Sequence, residues 1–315
     1  MTAISESLVN IRRRRVPLRI PGLGGSAALT AGLFILGALL AISLLTPLFT
    51  PYTITKIGDD PFAGPSWAHW LGTDNLARDN LTRLAAATRT GLLISFCASV
   101  LAALVGSVAG ILAGYLGGVV DAVVMRIVDV MLAVPAMLLA LVIGMMTGNG
   151  ALPLIGTLAI ITAPGFARVM RAPVIGLRES DFVVAAEISG VRRPLIAARH
   201  LTPNVLTPLF VQFAATASMV VLLESVLSFL GQGVVPPDPS AGRMISDATR
   251  FMQRDAMLVL LPSLVIVMLT VGWNLVADGL QQVLSPRRGD THVAADPRKP
   301  LVTRASADQT EEAAR

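Results

Sequence analysis

The sequence predicts an all-α, polytopic membrane protein with six transmembrane helices. Three observations carry that prediction. Of 315 residues, 54% are hydrophobic and only 14% are charged, with a mean hydropathy of +0.70, beyond the range of ordinary soluble domains. Charge-free runs long enough to cross a hydrocarbon core of about 30 Å recur along the chain. Lys and Arg are shared unequally between alternate connections, which fixes an orientation.

The N-terminus carries Arg12, Arg13, Arg14, Arg15 and Arg19, then a charge-free run over residues 20–55. A secretory signal has an apolar core of about 7–15 residues and a small-residue cleavage site. Residues 27–49 are instead long enough to cross the bilayer, so they are predicted as an uncleaved first span with a cytosolic basic end. Residues 50–90 form a polar excursion rich in proline, with Tyr52, Trp67 and Trp70 suited to a membrane interface. The second span is predicted within residues 90–120, ending where Gly114, Gly117 and Gly118 allow a tight turn. Arg126 and Asp129, three apart, are placed to pair on one helix face.

The next charge-free run, residues 130–167, would measure about 57 Å as one helix, nearly twice the hydrocarbon thickness. It must fold back, and Thr147-Gly148-Asn149-Gly150 is the place. That gives a third span near residues 124–146 and a fourth near 152–171. The fifth is predicted near 205–230 and, after a polar loop, the sixth near 257–277. Residues 285–315 are polar, mixed in charge and without apolar periodicity, so disorder is expected there. Six spans place both termini on one side. With that side cytosolic, 18 Lys and Arg lie inside against 7 outside, the sense the positive-inside rule requires.

Between spans four and five stands a polar island, RESDFVVAAEISGVRRPLIAARHLTPN, over residues 178–204. Charges this dense cannot lie in hydrocarbon, so the island must meet water or another protein. It has its own predicted order. Ser180 serves as an N-cap and Asp181 to Ser189 as a short helix, with Gly190 as a left-handed stop. Pro194 opens a second short helix that ends near His200, before Pro203.

Ala185-Ala186, Gly190, Arg199-His200 and Pro203-Asn204 resemble the EAA loop of ATP-binding-cassette importer permeases. The resemblance implies that the loop docks, as a coupling helix, on a cytosolic ATPase, with Asp181 and Glu187 in the same segment. Val184 stands where the family pattern has Glu, and Glu187 is not an aligned substitute. Further stretches resemble the C-type permease subunit of the dipeptide, oligopeptide and nickel class. They are His69-Trp70-Leu71-Gly72-Thr73-Asp74 with Arg78-Asp79; Gly114-Tyr115-Leu116-Gly117-Gly118 with Asp121; and Leu227-Ser228-Phe229-Leu230-Gly231 running to Pro236-Pro237. Asn274, Asp278 and Gly279 also fit. The similarity covers roughly residues 69–287 in matching order, and Ala77 departs from a position where the family often has Gly.

Glu224 is an acid inside the fifth span, near its outer end. It either touches cargo in the pathway or is a structural acid bonded to a neighbouring segment. No P-loop exists, since neither Lys56 nor Lys299 follows a glycine. His69, His200 and His292 are dispersed, with no metal-ligand spacing, and no catalytic constellation is present. The arginines flank apolar spans, which argues against nucleic acid as a partner.

The expected protein is a multi-pass permease subunit in the cytoplasmic membrane of a bacterium or archaeon. Residues 1–26 form a basic cytosolic tail, residues 27–284 the permease domain (core about 90–284, coupling loop about 178–204), and residues 285–315 a cytosolic tail. The resemblance implies a second homologous permease, two cytosolic ATPase domains and an extracytoplasmic binding protein. No cofactor is expected in this chain; ATP and Mg would be bound by the partner ATPases. The cargo would be a peptide or related small solute, with a nickel chelate within the class. The rival is a secondary transporter working without an ATPase, which calls for ionisable or broken-helix sites near the bilayer midplane.

Overall fold

The computed structural model describes residues 26–178, 180, 188 and 206–284. Its helices, numbered over those residues, follow the expected spans with informative differences. Helix α1 is Ala27–Phe49, capped by Ser26, whose hydroxyl accepts from the Leu29 amide. Helix α2, Asn80–Leu116, starts about ten residues before the expected second span. Asp79 caps it, so Arg83 and Arg89 belong to the helix and not to the polar excursion.

The third span is broken. Helices α3 (Gly118–Ala133) and α4 (Ala136–Thr147) meet at 97°. The cause is Pro135, which lacks an amide proton and pushes the residue before it out of the helical region. Val134 accordingly sits at φ −89°, ψ 132°. The turn at 148–150 is where its glycines and asparagine predict it, with Gly148 and Gly150 both at positive φ. Helix α5 is Ala151–Arg178 and α6 is Leu206–Phe229. The loop read as merely polar contains a short helix, α7 (Ala241–Ala248), and a 3-10 turn, Thr249–Phe251. Helix α8 is Met257–Leu284. Five of these helices are long and apolar enough to cross a membrane, and the bent pair counts as a sixth when its two halves are taken as one span.

Backbone approach between α2 and α5 organises the bundle. A Cβ added at Gly106 would lie 2.2 Å from the Ala163 carbonyl oxygen, and one at Gly110 2.2 Å from that of Ala167. At Gly114 the distance to the Arg171 carbonyl oxygen would be 3.0 Å. Lipid tails are as apolar as leucine, so spans associate by close packing and small residues mark the contact. Phe166 and Ala102 fill one end of this seam, and Ile111, Met170 and Val174 the other. A second glycine seam joins α1 to α8, where Gly32 meets the Gly272 carbonyl and Gly279 meets the Leu29 backbone. Asn274 Nδ2 donates to Ser218 Oγ at 2.8 Å, and Ser218 Oγ donates to the Thr270 carbonyl, tying α6 to α8.

The helices define two ends. Arg178 at the end of α5 reaches Gly117 at the end of α2, and Leu209 of α6 packs beside Tyr115. The flanks of the polar island therefore emerge together, opposite the end that carries Asp79 and α7. At the island end, Arg171 forms a two-pronged pair with Asp121 (2.5 and 2.6 Å). Asp129 pairs with Arg168 at 2.6 Å and not with Arg126 as expected, because α5 packs against α3 and offers a closer cation.

Gly110→Leu is expected to lower the stability of the detergent-solubilised protein by at least roughly 1–3 kcal/mol, the usual cost of overpacking. Gly156, whose Cβ would meet nothing within 4 Å, provides the control: Gly156→Ala should leave the thermal unfolding midpoint unchanged or slightly raised.

Candidate functional site: a polar cap and a mid-span groove

The segment from His69 to Arg83 folds into a compact polar cap. Gly72 takes φ +70°, and a Cβ there would lie 2.4 Å from the Ala63 carbonyl oxygen. Asp74 Oδ1 accepts from the Leu76 and Arg78 amides at 2.8 and 2.9 Å, closing a turn. Its Oδ2 takes Arg78 Nε at 2.7 Å and faces Arg83 Nη1 at 3.3 Å. Arg83 is buried, so Asp74 is the counter-charge that makes its burial tolerable. Ala77 sits at φ +54°, a region in which side chains are strained and glycine is not.

Asp79 works in the same way one turn on. Its Oδ2 accepts from the Thr82 amide (2.8 Å) and hydroxyl (2.7 Å), and its Oδ1 meets His69 Nδ1 at 2.9 Å. His69 stacks on Tyr52, ring centroids 4.5 Å apart. Tyr52 is thus part of the cap, whereas Trp67 is 96% exposed.

Glu224 lies beneath this end and is 2% exposed. Ser228 Oγ donates to it at 2.8 Å and Ser225 Oγ lies at 3.3 Å, and Ser240, the N-cap of α7, is buried nearby. Glycines press the surrounding loop onto α6: a Cβ at Gly242 would lie 1.9 Å from the Ser225 carbonyl oxygen. This enclosure fits the structural of the two roles open to Glu224. A polar groove of about 580 Å³ opens beside it, lined by Arg78, Arg243, Arg250, Asp247, Phe229 and Phe251. Arg243 pairs with Asp247 at 3.1 Å, while Arg250 is exposed and has no ion-pair partner among the described residues.

A second groove, about 230 Å³, lies where the break at Pro135 faces α5 and α6. Its lining includes Thr162, Gly165, Gln212, Thr216 and Met219 and, among the described residues, no ionisable side chain. Gln212 Nε2 donates to Thr216 Oγ at 3.2 Å. Polar groups at this depth suit a water-containing path or a polar cargo, since hydrocarbon would leave them unpaired. The sequence reading passed over this site. The signal for it was a glutamine and a threonine four apart in an otherwise apolar span. Of the island residues, Asp181, Ala185, Ala186, Glu187, Gly190, Arg199, His200, Pro203 and Asn204 all lie outside the described residues. Ser180 is described, and its hydroxyl donates to the Leu177 carbonyl.

Residues 106–290 match the family model described as "Binding-protein-dependent transport system inner membrane component". The chain belongs to this family. It is therefore the membrane-embedded permease subunit of an ATP-binding-cassette importer, which sets aside the secondary transporter. The broken helix that the rival called for is present, but it carries a neutral groove within an importer permease. Relatives agree over most of the chain. The dipeptide transport system permease protein DppC of Escherichia coli K12 is 39% identical over 81% of this permease and 88% of its own length. The protein of the same name from Alkalihalophilus pseudofirmus is 35% identical over 81% and 84%. The glutathione transport system permease protein GsiD of Pectobacterium atrosepticum is 34% identical over 82% and 87%.

Asp74→Ala should destabilise the permease by roughly 3–5 kcal/mol, because it strands Arg83 as a buried charge. Asp79→Ala should cost less, about 0.5–2 kcal/mol for a lost cap. Thermal unfolding of the two variants side by side checks the order. For Glu224→Ala, the yield of folded protein is expected to fall while uptake per assembled complex stays at the wild-type value. Normal yield with altered uptake would move Glu224 into the pathway.

Proposed function

We propose that this permease forms half of a path that imports peptides across the cytoplasmic membrane, driven by ATP hydrolysis in separate subunits. Peptide cargo is supported by the relatives, named for dipeptides and for glutathione. The neutral groove at Gln212, Thr216 and Thr162 suits a cargo whose backbone amides need hydrogen-bond partners and whose charges vary. A second homologous permease would close the path from the other side. ATP and Mg would be bound by two cytosolic ATPase domains, with no catalysis in this chain.

The observation that carries the reading is the opposition of the two ends. Helices α5 and α6 deliver the flanks of the 178–204 island to the end away from the polar cap. That is the end the charge bias assigns to the cytosol, along with both termini. Within the island, Ile188 is 82% exposed, an apolar side chain offered at the surface where a partner is expected. Ala185 and Ala186 allow close approach, and Arg192, Arg193 and Arg199 supply rim charges that tune orientation more than affinity. At the opposite end, the arginine-lined groove beside α7 faces the side from which a binding protein would deliver cargo.

Ala186→Arg should overfill the ATPase contact, and Gly190→Val should disturb its backbone. Both should reduce ATP-driven uptake in reconstituted vesicles by at least about tenfold, equivalent to about 1.4 kcal/mol of lost coupling, while membrane insertion is normal. Co-purification of the ATPase subunits reports docking separately. Wild-type uptake by Ala186→Arg at normal expression would overturn the docking role. Removing residues 289–315 should leave both readouts intact.

A further inference from the structure

Arg89 takes no part in the ion pairs of the polar cap. It is exposed on α2 and has no hydrogen bond or ion pair among the described residues. Its depth follows from Thr82, whose Oγ1 lies 3.1 Å from Thr50 Oγ1 at the end of α1. Arg89 is seven residues further on, about 10 Å inside that end. Gly91, two residues on, packs against Leu269 in the body of α8. A guanidinium at that depth costs up to about 3.5 kcal/mol unless it reaches a partner or the interface.

Arg89 sits at one end of a groove of about 490 Å³ between α1, α2 and α8. Among the described residues it is the only ionisable one in the lining, which is otherwise apolar: Leu36, Leu40, Leu44, Phe96 and Trp273 form its walls. Gly37 leaves the floor open, since a Cβ there would meet nothing within 4 Å. From Leu44 to Leu33 the groove follows α1 for eleven residues, about 16 Å at the helical rise. An apolar trough of that length ending at a single cation matches the shape and charge of one acyl chain with its anionic headgroup.

We propose that this groove is a phospholipid site, with one acyl chain lying along α1 and the lipid phosphate held by Arg89. The side chain can extend toward the cap-end interface while its methylenes stay on apolar surface. There its planar fork can take two phosphate oxygens at once, a match that a lysine would not offer. The site depends only on the position of the spans in a bilayer, not on ATPase docking or cargo.

The test uses the assembled transporter and a phosphatidylglycerol with a photoactivatable acyl chain. Cross-linked peptides are mapped by mass spectrometry. Labelling is expected at α1, α2 and α8 residues of the groove, competed by unlabelled phosphatidylglycerol but not by diacylglycerol, which lacks the phosphate. Arg89→Gln should weaken the competition by about tenfold, the equivalent of about 1.4 kcal/mol. Gly37→Leu should block labelling by filling the groove while Arg89 is kept. Labelling of Arg89→Gln equal to wild type, equal competition by diacylglycerol, or no labelling because a partner helix covers the groove would each overturn the proposal. Uptake is not the readout, so a failed docking model leaves this result interpretable.

Discussion

The structure depends on backbone-to-backbone contact between α2 and α5. Gly106, Gly110 and Gly114 bring the two helices so close that the carbonyls of Ala163, Ala167 and Arg171 occupy the space where Cβ atoms would be. In a bilayer there is no hydrophobic gain in hiding one apolar helix against another, so such contacts must carry the association. Once α5 is fixed, three further features follow. Its Pro135-facing side forms the neutral groove, its Arg171 and Arg168 clamp α3, and its end at Arg178 sets where the polar island leaves the bundle.

The other end is held by a different force. There the chain is irregular, and irregular backbone needs satisfied polar groups. Asp74 and Asp79 meet that need by accepting from amides and cations at once, so the cap is a hydrogen-bonded knot on the end of α2. Glu224 repeats the device one layer down with serines of its own helix, where Gly242 of α7 presses on the Ser225 carbonyl. Motifs that the sequence offers as functional signatures are thus, in this fold, largely the means of building a rigid mouth.

Much of this was legible. The first span is legible from the length of its apolar run, which the structure bounds with the Ser26 cap and Thr50, and the reversal at 148–150 from helix length together with the Gly148-Asn149-Gly150 turn. Less legible was the start of α2: Arg83 and Arg89 looked like loop residues because their counter-charge, or its absence, is a tertiary matter. Pro135 could have been read as a break, but an apolar run around a proline also suits a kinked continuous helix. Arg126 and Asp129 had the right spacing, yet spacing cannot weigh Arg168 arriving from α5. The glycine period of four along α2 was present in the sequence and went unused, although it is the signal that names the central seam. Gln212 carried no charge to draw notice.

We assign the groove where the α3–α4 break meets α5 and α6 to the import path. The most direct test of that assignment is the reaction of Gln212→Cys with a water-soluble thiol reagent, in a Cys97→Ala background, in the assembled transporter during turnover. The expected result is reaction with the reagent and protection by peptide cargo. A residue at position 212 as inert as a cysteine placed at the exposed position of Leu104, with or without cargo, would contradict the account.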